Sequence, residues 1–320
     1  MGMTSTPSGY PTLGLRHPDR AVVQRWAWAS LVANTVIILT GGLVRLTASG
    51  LGCPTWPRCT EESFVPHSEL GLHGLIEFGN RLLTYVLIAI AIGTLVAVWR
   101  WSEGRRLRRH AVVLAAGVPF QGVIGGITVL TDLNPWIVAL HLVLSLFLVA
   151  GSTWLLLRVR AEAASTSSVL VRRLVLAVYA TLWVVVYLGT VVTGSGPHAG
   201  DLDVPRNGLD PQLWSHVHAW AVYLLVGLTV ATIVLVRRDR DTTSRTPALQ
   251  AAVWLLVAEL GQGVIGFVQY FNDLPVALVA VHLVGAAVLV AVATRLVVTV
   301  HPSPSSARPL DHEAVVGRSA

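Results

Sequence analysis

The sequence has no lysine, only two cysteines, and few charges of either sign: 12% of its 320 residues are charged. Ordinary globular chains carry about a quarter charged residues. A soluble core of this length would need more polar residues to cover its surface, so that class is excluded. With lysine absent, the net charge of +6 rests on Arg. The Arg residues gather at the ends of apolar runs, which speaks against a nucleic-acid partner. The first apolar run begins near Trp26, after a polar stretch that lacks the small-residue cleavage site of a signal peptide. Two thiols are also fewer ligands than a structural metal site wants.

What the chain does have is apolar length. AVILMFWYC residues make up 53% of it, and a helix needs about 20 apolar residues to cross the hydrocarbon of a bilayer. Eight runs meet that need, at 25–46, 70–99, 111–131, 136–157, 170–193, 213–236, 248–270 and 275–299. The expected fold is an all-α integral membrane protein of eight transmembrane helices in two tandem, pseudo-symmetric four-helix bundles. Its divisions are a flexible cytoplasmic N-terminus (1–24), a first half (25–160), a second half (161–300) and a flexible cytoplasmic tail (301–320).

Arg placement predicts the orientation. Arg16, Arg20 and Arg25 precede the first run. Arg100, Arg105, Arg106, Arg108 and Arg109 fall between the second and third, Arg158, Arg160, Arg172 and Arg173 between the fourth and fifth, and Arg237, Arg238, Arg240 and Arg245 between the sixth and seventh. The opposite loops hold only Arg58 and Arg206 among many carboxylates. Both termini are therefore expected in the cytoplasm of a multi-pass cell-membrane protein.

The halves repeat. Gln121-Gly122-Val123-Ile124-Gly125 returns as Gln262-Gly263-Val264-Ile265-Gly266, and the same step carries Asp132-Leu133 to Asp273-Leu274 and His141-Leu142-Val143 to His282-Leu283-Val284. More weakly, Asn80 falls on His218 and Tyr85 on Tyr223. Each half has an even number of spans, so the repeat is parallel, about an axis along the membrane normal.

Ionisable groups inside hydrocarbon cost several kcal/mol, which singles out His141, His282, His218 with its neighbour His216, and His73 with Glu77, Asn80 and Arg81. One buried His is ordinarily a hydrogen-bonded structural residue. Several at one depth on alternate helices of a repeat read instead as axial ligands of haem iron. His216 points about 200° away from His218 round the helix, so it is a ligand only if His218 is not. His17, His67, His110, His198, His301 and His312 read as solvated surface. Glu77 has two readings, a salt bridge to Arg81 at i+4 and a proton or charge handler beside a haem. Arg45 and Arg81 are candidates for haem propionates, although Arg45 also suits the membrane edge. Cys53 and Cys59 share the first loop on the external side, where a disulfide forms readily. It reads either as a structural bridge or as a reversible redox pair.

Gly41-Gly42-Leu43-Val44-Arg45-Leu46-Thr47-Ala48-Ser49-Gly50-Leu51-Gly52-Cys53-Pro54-Thr55-Trp56-Pro57 and Ile76-Glu77-Phe78-Gly79-Asn80-Arg81, with the matched His, resemble the haem A synthase family over roughly residues 25 to 299. The resemblance implies an oxidoreductase that oxidises the C8 methyl of haem O to a formyl group, making haem A for cytochrome oxidase. It further implies haem b on His218 and His282 of the second half, and substrate haem O in the first half beside His141 and Glu77. Expected partners are haem O itself, the haem O synthase, the oxidase assembly machinery and membrane lipid, with a homo-oligomer left open. One departure stands out. The family pattern Glu-x-x-His-Arg has Asn80 in place of its His, and Asn is a poor iron ligand. Either His73, about two turns earlier on nearly the same face, substitutes from a shifted position, or the iron is five-coordinate. Two other classes fit the same His placement: a dihaem electron-transfer cytochrome and a non-catalytic haem carrier.

Overall fold

A computed structural model of the chain describes residues 17–162, 165, 167–198, 200–201, 203–239 and 245–301. The expected flexible ends, apart from residues 17–24 and His301, lie outside the described residues, as do Arg16, Arg240 and His312. The described residues hold no strand and eight helices long and apolar enough to cross a membrane. These are α1 (Arg20–Leu46), α2 (Gly71–Arg100), α3 (Arg108–Leu130), α4 (Pro135–Arg160), α5 (Val169–Ser195), α6 (Pro211–Arg238), α7 (Arg245–Phe271) and α8 (Val276–Val300).

Most helices extend a few residues beyond their apolar runs. Backbone hydrogen bonding continues through the polar interface until a cap stops it. The side chains of Asp19, Ser168 and Asp210 accept from the backbone N–H three residues on, in α1, α5 and α6. Pro135 and Pro211 open α4 and α6, where a missing N–H costs nothing.

In the first half α1 packs on α2 and α4, and α3 closes the ring by packing on the same two helices. The second half repeats this ring with α5 to α8. The diagonal pairs α2/α4 and α6/α8 do not pack on each other. Contacts between halves are α4 with α5, α8 with α1, and α4 with α8. Exchanging the halves leaves that set unchanged, as a two-fold relation requires.

Both hairpins of the repeat turn alike. Asp132 and Leu133 have φ of 50° and 54°, and Asp273 and Leu274 have 55° and 57°. The N–H of Leu133 reaches the carbonyl of Thr128 at 2.8 Å, and that of Leu274 the carbonyl of Gln269 at 2.9 Å. These left-handed residues close the ends of α3 and α7 by satisfying carbonyls that would otherwise be orphaned.

Small and polar residues join the spans, as is usual where lipid removes any hydrophobic gain from helix association. Ser30 and Ser152 share a 3.1 Å hydrogen bond between α1 and α4. Thr229 on α6 donates to Glu259 on α7 at 2.7 Å. Large apolar side chains remain open on the outside, among them Leu72, Tyr85, Trp220 and Phe271. In water such a surface would aggregate; in a bilayer it is the lipid face.

Candidate functional site

Three imidazoles stand out by what they lack. The Nδ1 atoms of His141, His218 and His282 are buried and have no hydrogen-bond partner. His141 and His282 each lie six residues past the first residue of their helix, at Pro135 and Val276. Each ring rests where a neighbouring helix has a glycine. A Cβ on Gly125 would lie 3.3 Å from His141 Cε1, on Gly189 3.2 Å from His218 Cε1, and on Gly266 3.7 Å from His282 Cε1. Gly125 and Gly266 are the last residues of the repeated Gln-Gly-Val-Ile-Gly segment, so one signal visible in the sequence marks a cradle for a ring. His218 lies close enough to His282 to act on it electrostatically. They sit on α6 and α8, the diagonal pair that does not pack together. His216 is exposed, with its ring centroid 6.2 Å from that of Tyr270.

In the first half α4 presents His141. Gln121 on α3 donates to the His141 carbonyl at 3.0 Å and to Ser145 Oγ at 2.9 Å, which fixes α3 against α4 at this level. On α2, Asn80 Oδ1 accepts from Thr40 at 2.8 Å. A groove of about 270 Å³ opens there between α1 and α2, lined by Thr40, Leu43, Ile76, Asn80 and Leu83 among others. His73 is exposed at the start of α2 and shares a 2.9 Å hydrogen bond through Nδ1 with Ser49.

Glu77 is 5% exposed, one of two carboxylates buried among the described residues; the other is Glu259. Arg81 donates to Glu77 Oε1 from Nη2 at 2.5 Å and from Nε at 3.1 Å. Glu77 Oε2 accepts the backbone N–H of Cys53. Arg81 also donates to the carbonyls of Cys53 and Arg58, each at 3.0 Å. The ion pair therefore serves as the clamp of the first loop. That loop is closed by a Cys53–Cys59 disulfide with Cα atoms 4.4 Å apart, and both cysteines are fully buried.

Arg45 reaches across the molecule. Its Nε donates to the His198 carbonyl at 2.5 Å and its Nη2 to the Thr193 carbonyl at 2.8 Å, both in the second half. Nearby, the N–H of Gly50 donates to the Gly200 carbonyl at 2.8 Å. These ties were invisible in sequence, as were Thr40 on Asn80 and Ser49 on His73, because side-chain and loop contacts over long separations leave no periodic signal.

The solvated-surface reading fails for three histidines. His110 belongs to α3, donates from Nε2 to the Gly151 carbonyl at 2.8 Å and packs on Trp154. His198 donates from Nε2 to the Leu274 carbonyl at 2.9 Å. His301, just past α8, bonds the Val297 carbonyl through Nδ1, and burial pushes its pKa below the ordinary histidine value. In each case a backbone carbonyl at a helix end or a close helix contact takes the imidazole out of solvent.

The residues fit a haem. A buried imidazole nitrogen without a partner is costly, and three at matched cradles suit iron ligation at the ring. No group of three or more His, Cys, Asp or Glu that could hold a bare metal ion occurs among the described residues.

Comparison with known proteins places these features in a lineage. The family model described as cytochrome oxidase assembly protein (COX15-CtaA) matches residues 24–73 and 70–294. The chain belongs to that family. Heme A synthase of Bradyrhizobium diazoefficiens is 25% identical, over 88% of this chain and 91% of its own length. Heme A synthase of Sphingopyxis alaskensis is 26% identical over 91% and 95%, and that of Methylorubrum extorquens 24% over 95% and 93%. The matched segments take in every helix but the ends of α1 and α8, so the family relation extends through both halves.

Proposed function

We propose that this chain is a haem A synthase, a membrane oxidoreductase that converts haem O to haem A for cytochrome oxidase. The observation that carries the reading is the near full-length similarity to proteins named heme A synthase. The matched, ring-cradled imidazoles support it.

In this reading the halves divide the work. His218 and His282, on facing sides of the second ring, hold a resident haem b. His141 holds substrate haem O in the first half. His73 supplies the second imidazole where Asn80 cannot, since Ser49 engages only its Nδ1. Bound haem supplies the redox chemistry that an unactivated methyl demands. The chain supplies ligands, orientation and charge control. Glu77, buried in the second turn of α2 and held by Arg81 and the Cys53 N–H, is the group that handles charge or a proton beside that haem. Arg45 suits a propionate better than Arg81. Two nitrogens of Arg45 are engaged and Nη1 has no partner among the described residues, whereas all three nitrogens of Arg81 are engaged.

The Arg distribution supports cytoplasmic termini and an external disulfide loop. Haem O arrives from the enzyme that makes it, and haem A leaves toward oxidase assembly. The test is expression in a host that makes haem O and no haem A. Haem A should appear in chromatograms of the extracted membranes. A chain that only carries electrons or haem leaves haem O unchanged, and that result would remove the proposal.

A further inference from the structure

Trp56 lies between the two cysteines of the clamped loop, yet its ring is seated elsewhere. A Cβ on Gly126 of α3 would lie 2.3 Å from Trp56 Cδ2, 2.4 Å from Cε2 and 2.7 Å from Cγ. Position 126 therefore accepts no side chain while the indole is in place. Gly126 is buried beneath it, and Trp56 itself remains 37% exposed. The preceding residue, Gly125, is the cradle of His141. Two consecutive glycines of α3 thus seat two rings, one fixed on α4 and one carried on a loop.

The repeat shows that this second seat is peculiar to the first half. Moving 141 residues on takes Gly125 to Gly266, which seats His282, but takes Gly126 to Phe267. Residues 196–210, which link α5 to α6, contain neither Trp nor Cys. At the position matching Gly126 the second half carries Phe267, 50% exposed and stacked on Phe271 of the same helix.

We infer that Trp56 is the retaining gate for the haem that occupies the first half. The inference rests on the assignment of substrate haem to that half. A resident haem needs no exit, whereas a substrate must enter and its product must leave. Glu77 and Arg81 fix Cys53 and Arg58 to α2, and the disulfide closes the loop base. Trp56 reaches from that base across to Gly126 of α3. Seated on Gly126, one residue from the cradle of His141, it bridges the loop base on α2 to α3 with a large, rigid aromatic surface suited to a porphyrin edge. Unseated, it opens that bridge.

Two variants separate removal of the ring from removal of its seat: Trp56→Ala, and Gly126→Ala, which leaves the Trp but fills its place. Purified protein loaded with haem O is mixed with excess apomyoglobin, and haem transfer is followed by absorbance. Both variants should release haem O on the order of tenfold faster than the parent, because lost contacts appear mainly in dissociation rates. Trp56→Phe should restore most of the retention. The low-spin haem b spectrum should be unchanged in all three, which certifies a folded second half. Unchanged release from both Ala variants with haem b intact overturns the gate and leaves the synthase reading standing. A parent protein that binds no haem beyond the His218–His282 pair overturns both.

Discussion

Glu77 carries the Cys53 N–H on one oxygen and Arg81 on the other, so its two sequence-level readings meet in one side chain. Removing one partner of a buried ion pair ordinarily costs about 3–5 kcal/mol. Here the loss is smaller, because Arg81 keeps two loop carbonyls. Glu77→Gln should therefore yield folded protein with its disulfide and haem b in place, while haem O accumulates at the expense of haem A. Activity per haem equal to that of the parent would reduce Glu77 to a loop anchor. The pair itself was legible from i+4 spacing. Its grip on Cys53 was not, because nothing local in α2 announces which loop will dock on it. The same holds for Trp56, whose seat is marked in sequence only by a glycine that the repeat fails to preserve.

At the scale of helices and turns, the eight spans were readable because about 20 apolar residues leave few alternatives. Their ends were read short wherever a cap lay beyond the apolar run, as at Asp19 and Asp210. The repeated Asp-Leu turns offer a paired test. Leu133 and Leu274 share a left-handed backbone, which costs about 1–2 kcal/mol in any residue with a Cβ. Leu133 is also 8% exposed, clustered with Val204 and pressed toward Gly50 and Gly200, whereas Leu274 is only half-buried. Glycine at either position relieves the backbone, but at Leu133 it also gives up burial worth about 2 kcal/mol. Thermal unfolding in detergent should place Leu133→Gly below Leu274→Gly by about 1–2 kcal/mol. Equal midpoints would mean that Leu133 does not pin the two halves together.

Over the whole molecule, the two rings meet through helix contacts and through the Arg45 and Gly50 ties at the disulfide-loop end. Arg45→Leu should loosen that seam. Two charge-assisted hydrogen bonds are lost, each worth about 1.5–3 kcal/mol where buried. Protease cleavage near Gly200 should accelerate, with the haem b spectrum retained. Unaltered cleavage would show that helix packing alone holds the halves. The central claim is the division of labour between a resident and a substrate haem. The most direct measurement is the haem content of purified protein from a host that makes haem O and no haem A, for the parent, His141→Ala, His218→Ala, His282→Ala and His216→Ala. The account predicts haem b with haem O or haem A in the parent and in His216→Ala. It predicts haem b alone in His141→Ala, and loss of the low-spin haem b in His218→Ala and His282→Ala. Loss of haem b from His141→Ala with retention in the other two, or a parent holding haem b alone and no haem A in its membranes, would contradict it.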